Sequence, residues 1–429
     1  MFISQVVPSH GVRFYQNVCS HKALFDLAAG SWQQFEKCLF CQVSGFSEKL
    51  GTVLETVQES LVNFSVSEDV FEQQRLLLVK DYYNKLLYPH KLCKDLRLTI
   101  LEQQRFSLVD KYAASHHLTR ERLVSFVKQY VEDAAVDGLI QGNLDRTQAL
   151  AIVDKLRSGI RSDHQYNLYR NERVLTIPEC SPLIKVRGVN ANDENSMVTM
   201  YLQFGRSSVD RCVLAELIHY MMCEPCFDIL RTKKQLGYSV YVEDHDTAGV
   251  VGLTVNVQTQ RSKFSVEQVT KDIVEFLEVD FYRMLKEMPE DEFESHVFSL
   301  IDLKNVEDNR LVEEIDRNWA EIVSSELFFG RLQSEIKRLE SVTFDEVVKF
   351  YEDHCLRRAR RLTLQVQGNV TPPIHGDVAS PPLPASLASV QLNVLDSELD
   401  IAQVKGQEIR NISAFKATCA YYPVCFLKM

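Results

Sequence analysis

The stretch LTLQVQGN at residues 362–369 alternates apolar and polar side chains and ends on Gly-Asn. A period of two is typical of a strand with one buried face, and Gly-Asn favours a tight turn. A similar stretch, VDGLIQGN, occupies residues 136–143, and the two Gly-Asn pairs are 226 residues apart. Both stretches therefore predict a strand that ends in a turn, and their likeness is the first sign of an internal duplication.

Each of these strands follows a similar amphipathic helix. The first helix is predicted to begin at Thr119 and the second at Thr343, where Glu346 completes a capping box. Apolar or aromatic side chains recur at steps of three and four from Leu123 and again from Val347, which are 224 residues apart. The helix and the strand therefore repeat together, in the same order.

A third matched pair lies further upstream. SEDVFE at residues 67–72 and PEDEFE at residues 289–294 each predict a helix start, and they are 222 residues apart. Amphipathic helices followed by strands are common, so each pair alone means little. Their shared order and nearly constant spacing predict an α+β fold of two tandem homologous units, each a mainly antiparallel sheet with helices packed on one face.

The repeat also predicts domain boundaries. The first unit, residues 1–170, lacks counterparts of the strand at residues 198–204 and of the helix from Ser208, so it is expected to be truncated at its N-terminus. The chain is then a fragment or alternative product of a longer one, or its first unit is degenerate. The second unit is predicted at residues 180–370, a proline-rich tether at 371–391, and a tail that packs on the units at 392–429.

Composition narrows the classes of function. The formal net charge is −11, with 45% apolar and 25% charged residues. Such a chain is a poor ligand for nucleic acid or an anionic membrane and a better one for basic peptides. No window has 18 uninterrupted apolar residues, and the first residues do not form a signal peptide. An odd count of eleven cysteines suits a reducing compartment, so a cytoplasmic location is expected.

Motifs for metal and phosphate chemistry are missing from the sequence. Neither H-E-x-x-H nor H-x-x-E-H occurs, and no phosphate-binding glycine motif is present. Two C-x-x-C pairs, Cys38 with Cys41 and Cys223 with Cys226, would form a zinc site only if they met in space. Structural thiols are the preferred interpretation, with the second pair on a helix broken at Pro225. The basic run at residues 357–361 predicts a solvated helix end.

Residues 230–257 have an unusual composition. LRTKKQLGYSVYV at 230–242, EDHDTAG at 243–249 and VVGLTVNV at 250–257 predict a helix end, a glycine turn and two strands joined by an acidic loop. Arg231 and Tyr238 can project into one cleft from these positions. On spacing alone, a salt bridge for the arginine and a half-buried sheet position for the tyrosine are favoured.

This segment resembles the C-terminal half of the pitrilysin, insulysin and nardilysin family of inverted-motif zinc peptidases. The resemblance rests on EPCFDILRTKKQLGY at residues 224–238, VQTQ at 257–260 and EIDRNWAEIV at 314–323. The last two stretches are more similar to the nardilysin branch than to the insulysin branch. The similarity extends from about Cys41 to the end of the chain.

The resemblance implies a fold and a division of labour. Four homologous α+β units would form two halves around a chamber, and the zinc would be held by H-x-x-E-H in the N-terminal half. No metal is then expected in this chain, which would be inactive alone. Arg231 and Tyr238 match auxiliary catalytic residues that bind the peptide and help its scissile carbonyl.

The same resemblance predicts partners: a zinc-bearing N-terminal half and peptide substrates, preferably basic. Two alternatives stay open at this point. One is a catalytically inert subunit of the same fold that binds peptides or serves as a scaffold. The other is a thiolate zinc module built from Cys38, Cys41, Cys223 and Cys226.

Overall fold

The structure is a computed structural model. It describes residues 2–3, 47–133, 136–159, 172–357, 359–369, 390–399 and 407–423. These residues form two compact units that alternate along the chain. The smaller contains residues 1–81, 114–169 and 307–327, and the larger contains residues 82–113, 170–306 and 328–429. Within the described ranges, no helix has the length and apolar character needed to cross a membrane.

Helices account for most of the elements. The α-helices are α1 (Ser47–Val62), α2 (Glu68–Leu87), α3 (Pro89–Leu101), α4 (Leu108–Ser115), α5 (Arg120–Asp133), α6 (Arg146–Gly159), α7 (Val209–Cys226), α8 (Val266–Glu275), α9 (Phe281–Glu287), α10 (Glu290–Lys304), α11 (Leu311–Ser324), α12 (Arg331–Leu339), α13 (Phe344–Tyr351) and α14 (Ile412–Thr418). Three segments are wound as π-helix: π1 (Phe227–Lys233), π2 (Phe276–Asp280) and π3 (Glu352–Arg357).

The strands form one large sheet and one small one. They are β1 (Phe2–Ile3), β2 (Leu139–Ile140), β3 (Pro182–Arg187), β4 (Asn195–Arg206), β5 (Ser239–Thr247), β6 (Val250–Gln260), β7 (Arg361–Gln367), β8 (Val394–Leu395) and β9 (Gln407–Glu408). In the larger unit the strand order is β5-β6-β4-β7-β3-β8, and β9 also pairs with β3. The pairs β5–β6, β6–β4, β4–β7 and β3–β8 are antiparallel, whereas β3–β7 and β3–β9 are parallel. The predicted α+β class with a mainly antiparallel sheet is therefore confirmed.

The core of the larger unit lies on one face of this sheet. Alternate residues of β4, including Val198, Met200 and Leu202, are at most 1% exposed and pack with apolar side chains of α7 and α8. Ser208 starts α7, because its hydroxyl accepts a hydrogen bond from the Arg211 backbone N–H. Helix α3 packs against β4 and β7, where Cys93 Sγ lies 3.8 Å from the Met197 carbonyl oxygen.

The smaller unit is mainly helical in its described part. The amide of Gln58 on α1 donates to the Leu156 carbonyl at the end of α6, at 3.1 Å. Asn318 on α11 donates to Gln141, just after β2, at 3.2 Å. Strand β2 lies within the predicted strand at residues 136–143 and pairs in parallel with β1.

The matched helix starts are present where the sequence predicts them. Thr343 and Glu346 form the predicted capping box at α13. The Thr119 hydroxyl accepts from the Arg122 backbone N–H at the start of α5. Helices α2 and α10 begin at Glu68 and Glu290. Side-chain caps therefore support the starts of α5 and α13, whereas α10 follows Pro289 without a side-chain cap.

Two local predictions were wrong. The acidic stretch Glu243–Thr247 is not a loop, because it continues β5 and pairs with β6 up to a turn at Ala248 and Gly249. The basic run is not a solvated helix end throughout, because Arg361 opens β7 and is 7% exposed. Its guanidinium donates to Glu278 at 2.6 Å, so a partner distant in sequence satisfies the buried charge.

The two compact units do not coincide with the two consecutive units predicted from the sequence, because each is built from several separate stretches of the chain. Residues 82–113 belong to the larger unit and residues 307–327 to the smaller, although the sequence assigned them to the first and second repeats. The repeat boundaries at 1–170 and 180–370 stay a prediction about duplication. Most of the proline-rich tether lies outside the described residues. In the tail, α14 lies on α3, where the Lys416 ammonium donates to the Thr99 carbonyl at 2.8 Å.

Candidate functional site

The site begins where helix α7 passes into π1. Pro225 lies inside α7 and does not break it, so the predicted break was wrong. The helix instead widens: the Lys234 N–H bonds to the Ile229 carbonyl, five residues back, at 2.9 Å. A π-helix accommodates an altered hydrogen-bond pattern and is frequent at functional sites. Gln235, with φ of 54°, then ends the helical path.

Gly237 fixes the approach of the chain to the sheet. A Cβ atom there would lie 1.8 Å from the Gln258 carbonyl oxygen, so only glycine allows this closeness. The next residue, Tyr238, therefore has a defined position immediately before β5. Leu230 and Leu236 anchor residues 230–238 to the core of the larger unit, because both side chains are at most 2% exposed.

Arg231 and Tyr238 lie side by side. The guanidinium carbon of Arg231 is 4.7 Å from the centroid of the Tyr238 ring and 4.4 Å from the centroid of the Phe227 ring. Both distances are within the range of cation–π attraction. Tyr238 is 86% exposed, so it does not occupy the half-buried position that spacing alone favoured. These three residues are called the arginine stack below.

The two lysines that follow Arg231 form ion pairs, which Arg231 does not do with any described residue. Lys233 pairs with Asp228 at 2.7 Å, and Lys234 pairs with Asp272 at 2.7 Å. In the part of the chain that the structure describes, no carboxylate lies within ion-pair distance of Arg231. Two aromatic rings contact the guanidinium of Arg231, and its N–H groups can donate to an oxygen of another molecule.

The arrangement supplies two types of donor on one exposed surface. A guanidinium presents five N–H groups, and a phenol presents one O–H. Donors of this kind stabilise negative charge that develops on an oxygen atom. Phe227 was missed in the sequence, although the spacing Phe-x-x-x-Arg is a signal that the two side chains share a helix face.

The described residues do not assemble a metal site. Among them, no group of three or more His, Cys, Asp or Glu side chains is placed to hold an ion. Cys38 and Cys41 lie outside the described residues. Cys226 is fully buried, and burial raises the pKa of its thiol to about 12. The absence of a metal from the whole chain stays a prediction.

Two family models match the chain. Residues 217–319 match the PQQ synthase PqqF-like C-terminal lobe domain 4, and residues 30–114 match the middle or third domain of peptidase M16. Nardilysin of Rattus norvegicus is 37% identical over 396 residues, which cover 90% of this chain and 34% of that protein. The chain is similar to the peptidase M16 family over most of its length.

Further comparisons agree with this similarity. Human nardilysin is 38% identical over 338 residues, covering 78% of this chain and 29% of that protein. The crystal structure of pitrilysin superposes with a TM-score of 0.71 at 14% identity, covering 89% of this chain and 38% of that one. The chain thus has the fold of an M16 peptidase and spans about a third of the length of the nardilysins it matches.

Proposed function

We propose that this chain is the C-terminal half of a nardilysin-like zinc metalloendopeptidase. It closes the chamber opposite a zinc-bearing N-terminal half, and it contributes contacts to the bound peptide. The observation that carries the proposal is the arginine stack, which presents Arg231 and Tyr238 together within the segment that matches the PqqF-like C-terminal lobe domain 4. Similarity to a peptidase family supports peptide hydrolysis as the reaction class.

The two donors have a defined role in this proposal. Zinc held by the other half would supply the activated water. Arg231 and Tyr238 would donate hydrogen bonds to the oxygen of the scissile carbonyl or of a neighbouring peptide group, and would orient the peptide. Phe227 would hold the guanidinium in place, because its ring lies 4.4 Å from the guanidinium carbon.

Charge supports basic peptides as substrates. The whole chain has a formal net charge of −11, and the exposed side chains of Glu243, Asp244 and Asp246 line β5 beyond Tyr238. Such a surface attracts peptides that carry Lys or Arg. A cytoplasmic location is part of the proposal, supported by cysteines that are all free among the described residues.

Complementation tests the function. This chain would be mixed with a separately expressed zinc-bearing M16 half, and cleavage of a dibasic peptide would be measured. We expect the mixture to cleave faster than either half alone. Arg231→Ala should lower kcat by about 10²–10³, whereas Lys233→Ala should not change it, because Lys233 pairs with Asp228 outside the stack.

The inert alternative is resolved by the same mixture. A peptide-binding or scaffold subunit of this fold would bind a fluorescent dibasic peptide, and the wild-type chain would add no cleavage to that of the zinc-bearing half. The absence of H-x-x-E-H and H-E-x-x-H from the 429 residues keeps this alternative open. Equal cleavage by the wild-type and Arg231→Ala mixtures would remove Arg231 from the proposed mechanism.

A further inference from the structure

A second constellation lies one turn of α7 before the arginine stack. His219 and Cys223 are four residues apart on the helix, and the Cys223 sulfur lies 3.3 Å from Nε2 of His219. Both residues are partly exposed, with 24% of the His219 side chain open to solvent. The C-x-x-C pattern in the sequence pairs Cys223 with Cys226, but Cys226 is buried and the neighbour of the Cys223 sulfur is His219.

The geometry assigns a proton to the histidine. Nε2 of His219 also lies 3.2 Å from the carbonyl oxygen of Val242. A carbonyl oxygen can only accept, so Nε2 carries a hydrogen. The Cys223 sulfur lies beside the same N–H group, so in this tautomer the sulfur can only accept, and it shares that hydrogen with the Val242 carbonyl.

A carboxylate supports the second nitrogen of the ring. Oδ1 of Asp244 lies 3.8 Å from Nδ1 of His219 and favours a proton there as well. The hydrogen bond with Cys223, together with the charges of Cys223 and Asp244, raises the pKa of His219 to about 9 despite partial burial. The imidazole therefore faces the sulfur with Nε2 and the Asp244 carboxylate with Nδ1.

The other two cysteines of α7 have different surroundings. The Cys212 sulfur contacts the hydroxyl of Ser207 at 3.4 Å, and burial raises the pKa of its thiol. Cys226 is fully buried, and burial raises its pKa to about 12. Within this helix, Cys223 is thus the cysteine with an imidazole beside its sulfur.

We propose that Cys223 is a modification site that exchanges with disulfides of low-molecular-weight thiols. Its thiolate attacks one sulfur of the disulfide, a new S–S bond forms at Cys223, and the old S–S bond breaks. The departing thiolate takes a proton from solvent, so Cys223 is oxidised while the departing sulfur is reduced. The mixed disulfide would lie four residues before Phe227, on the same side of the helix.

The test uses the intact chain with oxidised glutathione at pH 7. Modification of each cysteine is followed over time by mass spectrometry of its peptides. We expect Cys223 to be modified about tenfold faster than Cys212, the matched control on the same helix. His219→Gln keeps a donor for Val242 but cannot be charged, and it should remove most of this difference.

Asp244→Asn provides a second variant in case His219→Gln disturbs folding, which circular dichroism would show. It should slow the modification of Cys223 by a smaller factor and leave Cys212 unchanged. Equal rates at Cys223 and Cys212 in the wild-type chain, or no effect of either variant, would overturn the proposal. No peptide cleavage is measured, so this result is independent of the proposed peptidase function.

Discussion

Leu230 and Arg231 are neighbours in sequence with opposite surroundings. Leu230 is fully buried among the apolar side chains of the larger unit, together with Leu236. Arg231 turns the other way and contacts two rings, one of them the 86% exposed ring of Tyr238. The buried side of this segment holds its position, and the exposed side presents donors. Substitutions on the two sides should therefore separate stability from activity.

Leu230→Ala should give the largest effect. Removing a fully buried leucine side chain leaves a cavity, and we expect the free energy of unfolding to fall by about 2–5 kcal/mol. Urea unfolding followed by circular dichroism measures this change. Lys233→Ala, on the exposed side of the same π-helix, is the control and should stay within about 0.5 kcal/mol of wild type.

Arg231→Ala should give the opposite pattern. In the complemented enzyme the loss in kcat of about 10²–10³ corresponds to about 2.7–4 kcal/mol of transition-state stabilisation. The free energy of unfolding should change by no more than about 1 kcal/mol, since the stack contacts of a partly exposed cation are weak. A large loss of stability with unchanged kcat would reverse the assignment of the two sides.

Gly237→Ala should affect both sides moderately. The new Cβ would meet the Gln258 carbonyl oxygen, so the backbone has to move and Tyr238 moves with it. Overpacking of this kind costs about 1–3 kcal/mol. Urea unfolding and kcat of the complemented enzyme should both decrease. Gly51→Ala, inside α1, is the control: a Cβ there meets no atom within 4 Å, so the substitution should raise the free energy of unfolding by about 0.5–1 kcal/mol instead of lowering it.

Phe227→Leu should give the smallest effect. It removes one ring from the guanidinium and keeps an apolar side chain of similar size at a 43% exposed position. One exposed cation–π contact is worth about 0.5–1 kcal/mol. We expect kcat/KM of the complemented enzyme to fall by about two- to fivefold, with unfolding unchanged. An effect as large as that of Arg231→Ala would mean that Phe227 itself contacts the substrate.

The sequence predicted the elements whose signals are local. The capping box of Thr343 and Glu346 and the strand within residues 362–366 involve near neighbours, and both are confirmed. The single buried face predicted for that strand is wrong, because Thr363 and Gln365 are buried as well as the apolar residues. The peptidase family and the α+β class followed from the repeat and from the resemblance around residues 224–238. Both are confirmed by comparison with the M16 peptidases.

Two further errors have different causes. Glu243–Thr247 carries charges typical of a loop, but it pairs with the start of β6, the next strand of the same hairpin, which makes it a strand. Arg361 is buried, and its guanidinium forms an ion pair with Glu278, which is far away in sequence. The arginine stack depends on the π-helical turn after Pro225, which no spacing rule indicated.

One feature of β5 bears on self-association. This strand ends the strand order of the large sheet, so its outer edge has no neighbouring strand in the described part of the chain. Edge strands with free backbone groups can template aggregation between copies. Glu243, Asp244 and Asp246 would bring like charges together in such a pair, and His219 already occupies the Val242 carbonyl. The edge is therefore protected against joining a second copy of itself.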